Sequence, residues 1–245
     1  MKLFRSLFII ILLFTLTTCE NTDEIEAGEL TIQFNHEWNG EIINFNELKY
    51  VNFNGETLSI NKLRYLISNI VLHKTDGSLL ELDGYVLVDL NKNNISIPFS
   101  NIPFDTYSGL SFTFGFNKND NLDGAYKDLN AASWNWPAML GGGYHFMQFE
   151  GTYIDDENEK PFTYHMGTAK KSDGVFEENS FEINLGEFDF NKASTLNLYA
   201  NIAEWFTNPN TWDLNSYNIN LMSNYDAQKM MNTNGKTVFS LGEIN

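Results

Sequence analysis

The sequence predicts an all-β domain, an antiparallel β-sandwich or barrel-like sheet with one or two short helices. Two observations carry this expectation. From Glu29 onward apolar and polar residues alternate with the period of a half-buried strand. These runs are short and are separated by Asn, Asp and Gly, the residues that build turns. No long stretch carries a helical period.

The elements follow in order. Leu30 to His36 opens the domain, with Leu30, Ile32, Phe34 and His36 on one face. Leu63 to His73 and Leu79 to Asp89 read as paired strands, and Lys74-Thr75-Asp76-Gly77 between them has a hairpin signature. Asn54-Gly55 and Asp83-Gly84 read as further turns. Strands are expected over Leu110 to Phe116, Tyr144 to Phe149, Phe162 to Met166, Phe181 to Leu185 and Thr195 to Ile202. Tyr153 to Pro161 is polar enough to be a hairpin tip, and Lys170 to Asn179 reads as an exposed loop. The helical candidates are Tyr225 to Met231 and a turn around Ala203 to Phe206. No repeat, proline-rich linker or composition break follows residue 29, so residues 29–245 are expected to form one domain.

The first residues read as an export signal. Lys2 and Arg5 precede an apolar run from Leu7 to Leu16, too short to span a membrane and suited to the core of a signal peptide. Leu16-Thr17-Thr18-Cys19 then resembles the lipobox of bacterial lipoproteins, in which the cysteine is acylated and becomes the first residue. Residues 1–18 are thus expected to be a lipoprotein signal peptide, with Cys19 the lipidation site and residues 19–28 an acidic tether. The expected location is the outer membrane, on the periplasmic face or the cell surface. Cys19 is the only cysteine, so no internal disulfide forms and stability rests on an ordinary core.

The formal charge is −17, and loss of Lys2 and Arg5 with the signal leaves the mature chain more acidic still. Such a surface repels nucleic acid and anionic headgroups. The sequence has no serine-hydrolase elbow, phosphate-binding glycine loop or paired zinc-protease histidines, and its sole thiol is assigned to lipid. No enzyme is expected. Asn119-Asp120-Asn121-Leu122-Asp123-Gly124 partly matches a calcium loop, but Asn119 and Asn130 stand where that loop takes acids, which favours a plain polar turn.

The stretch from Ala132 to Gly151 is the most informative. It holds Trp134, Trp136, Met139, His145 and Met147 around Gly141-Gly142-Gly143. Tyr164-His165-Met166 adds a second strand histidine, and His36 ends the apolar face of the first strand. Imidazole nitrogen and thioether sulfur are neutral donors that Cu(I) favours. The same side chains also suit ordinary packing. His73, beside the Lys74 turn, is expected at the surface.

The chain resembles the MbnP-like family of periplasmic or surface copper-binding proteins, relatives of the methanobactin-associated protein and of methanotroph surface copper proteins. The resemblance rests on Phe34-Asn35-His36, Leu63 to Ile70, Tyr85 to Asp89, Trp134 to Gly151, Tyr164 to Gly167 and Trp205 to Leu214, in that order along nearly all of residues 29–241. It implies a β domain that binds Cu(I) through two histidines and a kynurenine made by oxidising a tryptophan. It also implies a partner for that oxidation, a dihaem cytochrome c peroxidase-like oxidase. The matching histidines are His165 with His145 or His36, the tryptophans Trp134 and Trp136, and Met139 and Met147 are further candidate ligands. The alternative is a surface module that binds glycans or proteins through exposed aromatic side chains.

Overall fold

The computed structural model describes residues 26–245. The signal segment, Cys19 and most of the tether lie outside the described residues. Along the chain run β1 (Ala27–Trp38), β2 (Glu41–Ile42), β3 (Tyr50–Val51), β4 (Thr57–Leu58), β5 (Lys62–Lys74), β6 (Leu79–Asp89), β7 (Ser96–Pro103) and β8 (Asp105–Phe114). After a short helix α1 (Lys127–Ala131) come β9 (Met147–Asp155), β10 (Asn158–Met166), β11 (Ala169–Ser172), β12 (Val175–Glu177), β13 (Phe181–Leu185), β14 (Phe188–Phe190) and β15 (Ser194–Asn201). Helix α2 (Tyr225–Gly235) and β16 (Phe239–Ile244) finish the fold.

The architecture is the expected all-β sandwich. One sheet has the order β16-β15-β1-β2, with β7 also paired to β1. The other runs β13-β8-β5-β9-β4-β3, with β6, β10 and β14 paired to β5, β9 and β8. Aromatic side chains lock the two inner faces. Phe34 of β1 meets Tyr65 of β5 and Phe112 of β8 edge-on, each at 6.2 Å between ring centroids. The sandwich is not wholly antiparallel: β1 and β15 pair in parallel from Leu30↔Ser194 to Glu37↔Asn201. A parallel pair needs a long crossover, and here most of the chain lies between the two strands.

Turn chemistry behaves in two ways. Asp76 accepts from the Ser78 N–H at 2.8 Å and Gly77 adopts φ +86°, closing the β5–β6 hairpin where the sequence placed it. Asp83-Gly84, expected as a turn, is instead a bulge within β6: the register passes from Ser68↔Tyr85 to Ile70↔Leu82, so two residues oppose Asn69. A paired strand on both sides of the Asp-Gly prevents the chain from reversing there. Lys170 to Asn179 is likewise no free loop, since it folds as the β11–β12 ribbon and ends in a fully buried Asn179.

The expected C-terminal helix is present and longer than its apolar pattern suggested. Asn224 caps it by accepting from the Ala227 N–H at 3.0 Å. Ile202–Phe206 is a 3-10 turn. Helix α1 carries no periodic signal in its five residues and was not anticipated.

Candidate metal centre

The candidate site lies on the outer face of the second sheet, where β5, β9 and β10 run side by side. Cross-strand register makes a small grid of polar side chains. Arg64 pairs with Gln148, which pairs with His165; Lys62 pairs with Glu150, which pairs with Thr163. Directly opposed residues share a face, so all six stand on one side. Arg64 donates through Nε and a terminal nitrogen to Gln148 Oε1 at 2.9 and 2.6 Å. Lys62 Nζ lies 2.9 Å and His165 Nε2 lies 2.8 Å from the same Glu150 oxygen. The hydrogen bond from His165, reinforced by Lys62, holds the Glu150 carboxyl at about 2.

The next layer comes from the segment before β9. The expected strand Tyr144 to Phe149 starts only at Met147, because His145 has left the ladder: its N–H donates to the Trp134 carbonyl at 2.8 Å. His145 Nδ1 meets the same carbonyl oxygen at 3.1 Å. The rings of His145 and His165 then stand 5.4 Å apart between centroids, nearly perpendicular. Burial, with His165 beside it, lowers the His145 pKa to about 4, so the ring is neutral at ordinary pH.

Both candidate tryptophans wall this pair. The Trp136 ring meets His145 edge-on at 5.0 Å, and its Nε1–H donates to the Leu140 carbonyl at 3.1 Å. Gly167 gives that ring its room, since a Cβ there would lie 2.5 Å from Cδ2 of Trp136. The Trp134 ring lies 5.6 Å from His145 and 4.7 Å beneath the Arg64 guanidinium carbon. Its Nε1 is buried and has no hydrogen-bond partner among the described residues.

Supports reach in from elsewhere. The Asn121 and Asp123 carboxamide and carboxylate oxygens accept from the Tyr144 and Gly143 N–H groups at 2.8 and 2.5 Å. The partial calcium-loop pattern is therefore a brace for the glycine turn. Gln228 of α2 donates to the His165 carbonyl at 2.8 Å and accepts from the Gly167 N–H at 3.2 Å, fixing the end of β10.

Three sequence-predicted ligands lie elsewhere. Met147 opposes Met166 and is fully buried, so it faces the core, on the other side of the sheet from His165. His36 also belongs to the core side: its Nε2 meets the Tyr65 hydroxyl at 2.8 Å, and Tyr65 shares the Met147 face. It also borders an open pocket of about 320 Å³ lined by apolar Phe34, Ile43 and Leu90 and by polar Asn35 and Glu37. Burial lowers its pKa to about 3. Met139, 75% exposed on a 3-10 turn, points to solvent. His73 is half-buried, with Nε2 2.7 Å from Ser111 Oγ, and takes no part.

Lys62, Arg64, Gln148 and Glu150 were not singled out from the sequence. Their signal was present as polar residues at alternate positions of Lys62-Leu63-Arg64 and Gln148-Phe149-Glu150, a pattern any solvent-facing strand shares.

Among the described residues no three or more histidine, cysteine or carboxylate side chains gather as a metal cage. The donors on offer are two imidazoles with aromatic walls, and burial keeps that of His145 neutral. Zinc prefers four ligands of N, S or O type, whereas a soft, low-coordinate ion such as Cu(I) suits this set. His145 has committed Nδ1 and His165 has committed Nε2, leaving one ring nitrogen on each for an ion.

Fold and site together define a β-sandwich domain with a tryptophan-walled histidine pair on one outer face. The sequence model of the MbnP family matches residues 27–224, most of the chain, and this protein belongs to that family. The solved structure of MbnP from Methylosinus trichosporium is similar at a TM-score of 0.50 and 14% identity, over 71% of this chain and 76% of that one. At such identity the likeness speaks to the fold. No curated protein matches the chain.

Proposed function

We propose that this protein is a lipid-anchored, extracytoplasmic Cu(I)-binding protein rather than an enzyme, with His145 and His165 as its ligands. The observation that carries the reading is the meeting of these two imidazoles at 5.4 Å, with buried Trp134 and Trp136 packed against His145. Oxidation of one of those tryptophans to kynurenine, by a dihaem oxidase as in the family resemblance, would add a third donor. Anchoring through Cys19 and an outer-membrane location rest on the N-terminal signal.

A glycan-binding surface is less well supported. It calls for exposed aromatic platforms, yet all five tryptophans are buried, Trp38 being the most exposed at 6%.

The test is an anaerobic titration of the purified mature chain with Cu(I) against a chromogenic competitor. The double variant His145→Ala/His165→Ala should bind about 100-fold more weakly or worse, equivalent to roughly 3 kcal/mol. Equal affinity in variant and wild type would overturn the assignment.

A further inference from the structure

One carboxylate stands beside the histidine pair, and its partners bear on which ion the pair accepts. Glu150 accepts through a single oxygen, Oε1, from Lys62 Nζ at 2.9 Å and sits 2.8 Å from His165 Nε2. Lys62 is its in-register partner across β5 and β9, so the contact is set by the sheet and not by chance reach. Both side chains are about one-third exposed (33% each), which leaves the carboxylate free to turn once Lys62 lets go.

The chemistry of the alternatives differs. A carboxylate swung onto the two imidazoles would complete a two-histidine, one-carboxylate set, which suits divalent ions such as Zn²⁺. With Glu150 held by Lys62 and spent on His165 Nε2, an ion meets ring nitrogens and no carboxylate oxygen. Beyond that pair the Arg64 guanidinium lies over the Trp134 ring, with the Asp89 carboxylate opposite it in register across β5 and β6, so its charge is largely offset and the Lys62–Glu150 pair is left to set the balance.

We infer that Lys62 is a specificity-determining residue: by pinning Glu150 to His165 it keeps the carboxylate away from the ion and biases the histidine pair toward monovalent copper over divalent metals. This inference rests on the copper reading above. Lys62 touches no metal in this scheme. It acts through Glu150, both by withholding a hard oxygen donor and by cancelling its charge. Loss of that cancelling charge changes the preference for a divalent over a monovalent ion on the order of 10- to 100-fold at an effective dielectric near 20.

The experiment measures Cu(I) and Zn²⁺ affinities separately, each metal alone with a competing chelator, for the mature chain and three variants. Lys62→Met should raise the Zn²⁺-to-Cu(I) affinity ratio by about 10-fold or more. Lys62→Arg, which keeps the charge, should hold the wild-type ratio. Lys62→Met/Glu150→Gln should return close to it, because the neutral amide removes the donor that Lys62 restrains. A merely structural role for Lys62 would lower both affinities together and leave the ratio unmoved. Circular dichroism checks folding, and Lys62→Gln replaces the Met variant if that one misfolds. A ratio unchanged in Lys62→Met, or a gain that survives Glu150→Gln, overturns the inference. Absence of Cu(I) binding in the wild type would instead remove the copper reading itself, and the wild-type titration alone reveals it.

Discussion

His145 and His165 face each other at 5.4 Å although strict strand alternation would put them on opposite sides of the sheet. His165 opposes Gln148, and Gln148 lies an odd number of residues from His145. The chain resolves this by leaving the ladder before Met147. The Trp134 carbonyl takes both the backbone N–H of His145 and its Nδ1, and so re-aims the ring. Trp134 thus shapes the pair with its backbone and walls it with its indole.

The Trp136 wall depends on Gly167. Gly167→Ala would drive a Cβ into the indole at 2.5 Å, with Gln228 holding the Gly167 backbone in place. Overpacking of this kind costs roughly 1–3 kcal/mol. The urea midpoint should fall accordingly with the m-value unchanged. A wild-type midpoint would show that the ring has room to move.

Metal-free stability should fall on the acid side through His36. Its pKa is near 6.5 when unfolded and about 3 when folded, so the unfolded chain binds more protons between these values. The contribution is complete above the unfolded pKa and is lost as pH drops below it, amounting to ~2 kcal/mol by pH 5. His145, lowered to about 4, adds loss in the same window. Denaturant unfolding from pH 7.5 to pH 5 should therefore show a shallower decline in His36→Gln than in wild type. Identical slopes would mean that His36 takes up a proton within the fold.

Anchoring has a direct test. Cys19→Ser should release the protein from the membrane fraction or leave its precursor uncleaved, as read by fractionation and immunoblot. Mature, membrane-bound protein in the variant would end the lipoprotein reading.

Tryptophan oxidation can be read from peptides of the native protein. If it occurs, the peptide spanning Trp134 and Trp136 should carry one residue that has exchanged a carbon for an oxygen, and only where the partner oxidase is co-expressed. Two unmodified tryptophans in native protein would remove that part of the family analogy while leaving plain histidine binding in place.

Much of this protein could be read without coordinates. Alternation over Leu30 to His36 gave the inward face of β1 correctly, with Leu30, Ile32, Phe34 and His36 all buried. Asp76-Gly77 gave a true hairpin, because a two-strand reversal is decided by local turn preference and the pairing of its flanks. The segment holding Trp134, Trp136 and His145, and the histidine on β10, were also visible, since residue type and strand propensity are local properties.

What alternation could not supply was the face of the sheet on which each ligand candidate stands relative to the others. That depends on register between strands distant in sequence, and on one backbone departure at His145. Register placed Met147 and His36 in the core and set Lys62, Arg64, Gln148 and Glu150 around His165. The same non-local pairing turned Asp83-Gly84 into a bulge and joined β1 to β15 in parallel. The sequence by itself determined most of the longer strands and the side chains they carry, though not β7 or the β11–β12 ribbon, because periodicity and turn chemistry act over a few residues. Only the tertiary structure decided which of those side chains meet, because a one-residue change of register moves a side chain to the opposite face and no local preference controls that choice.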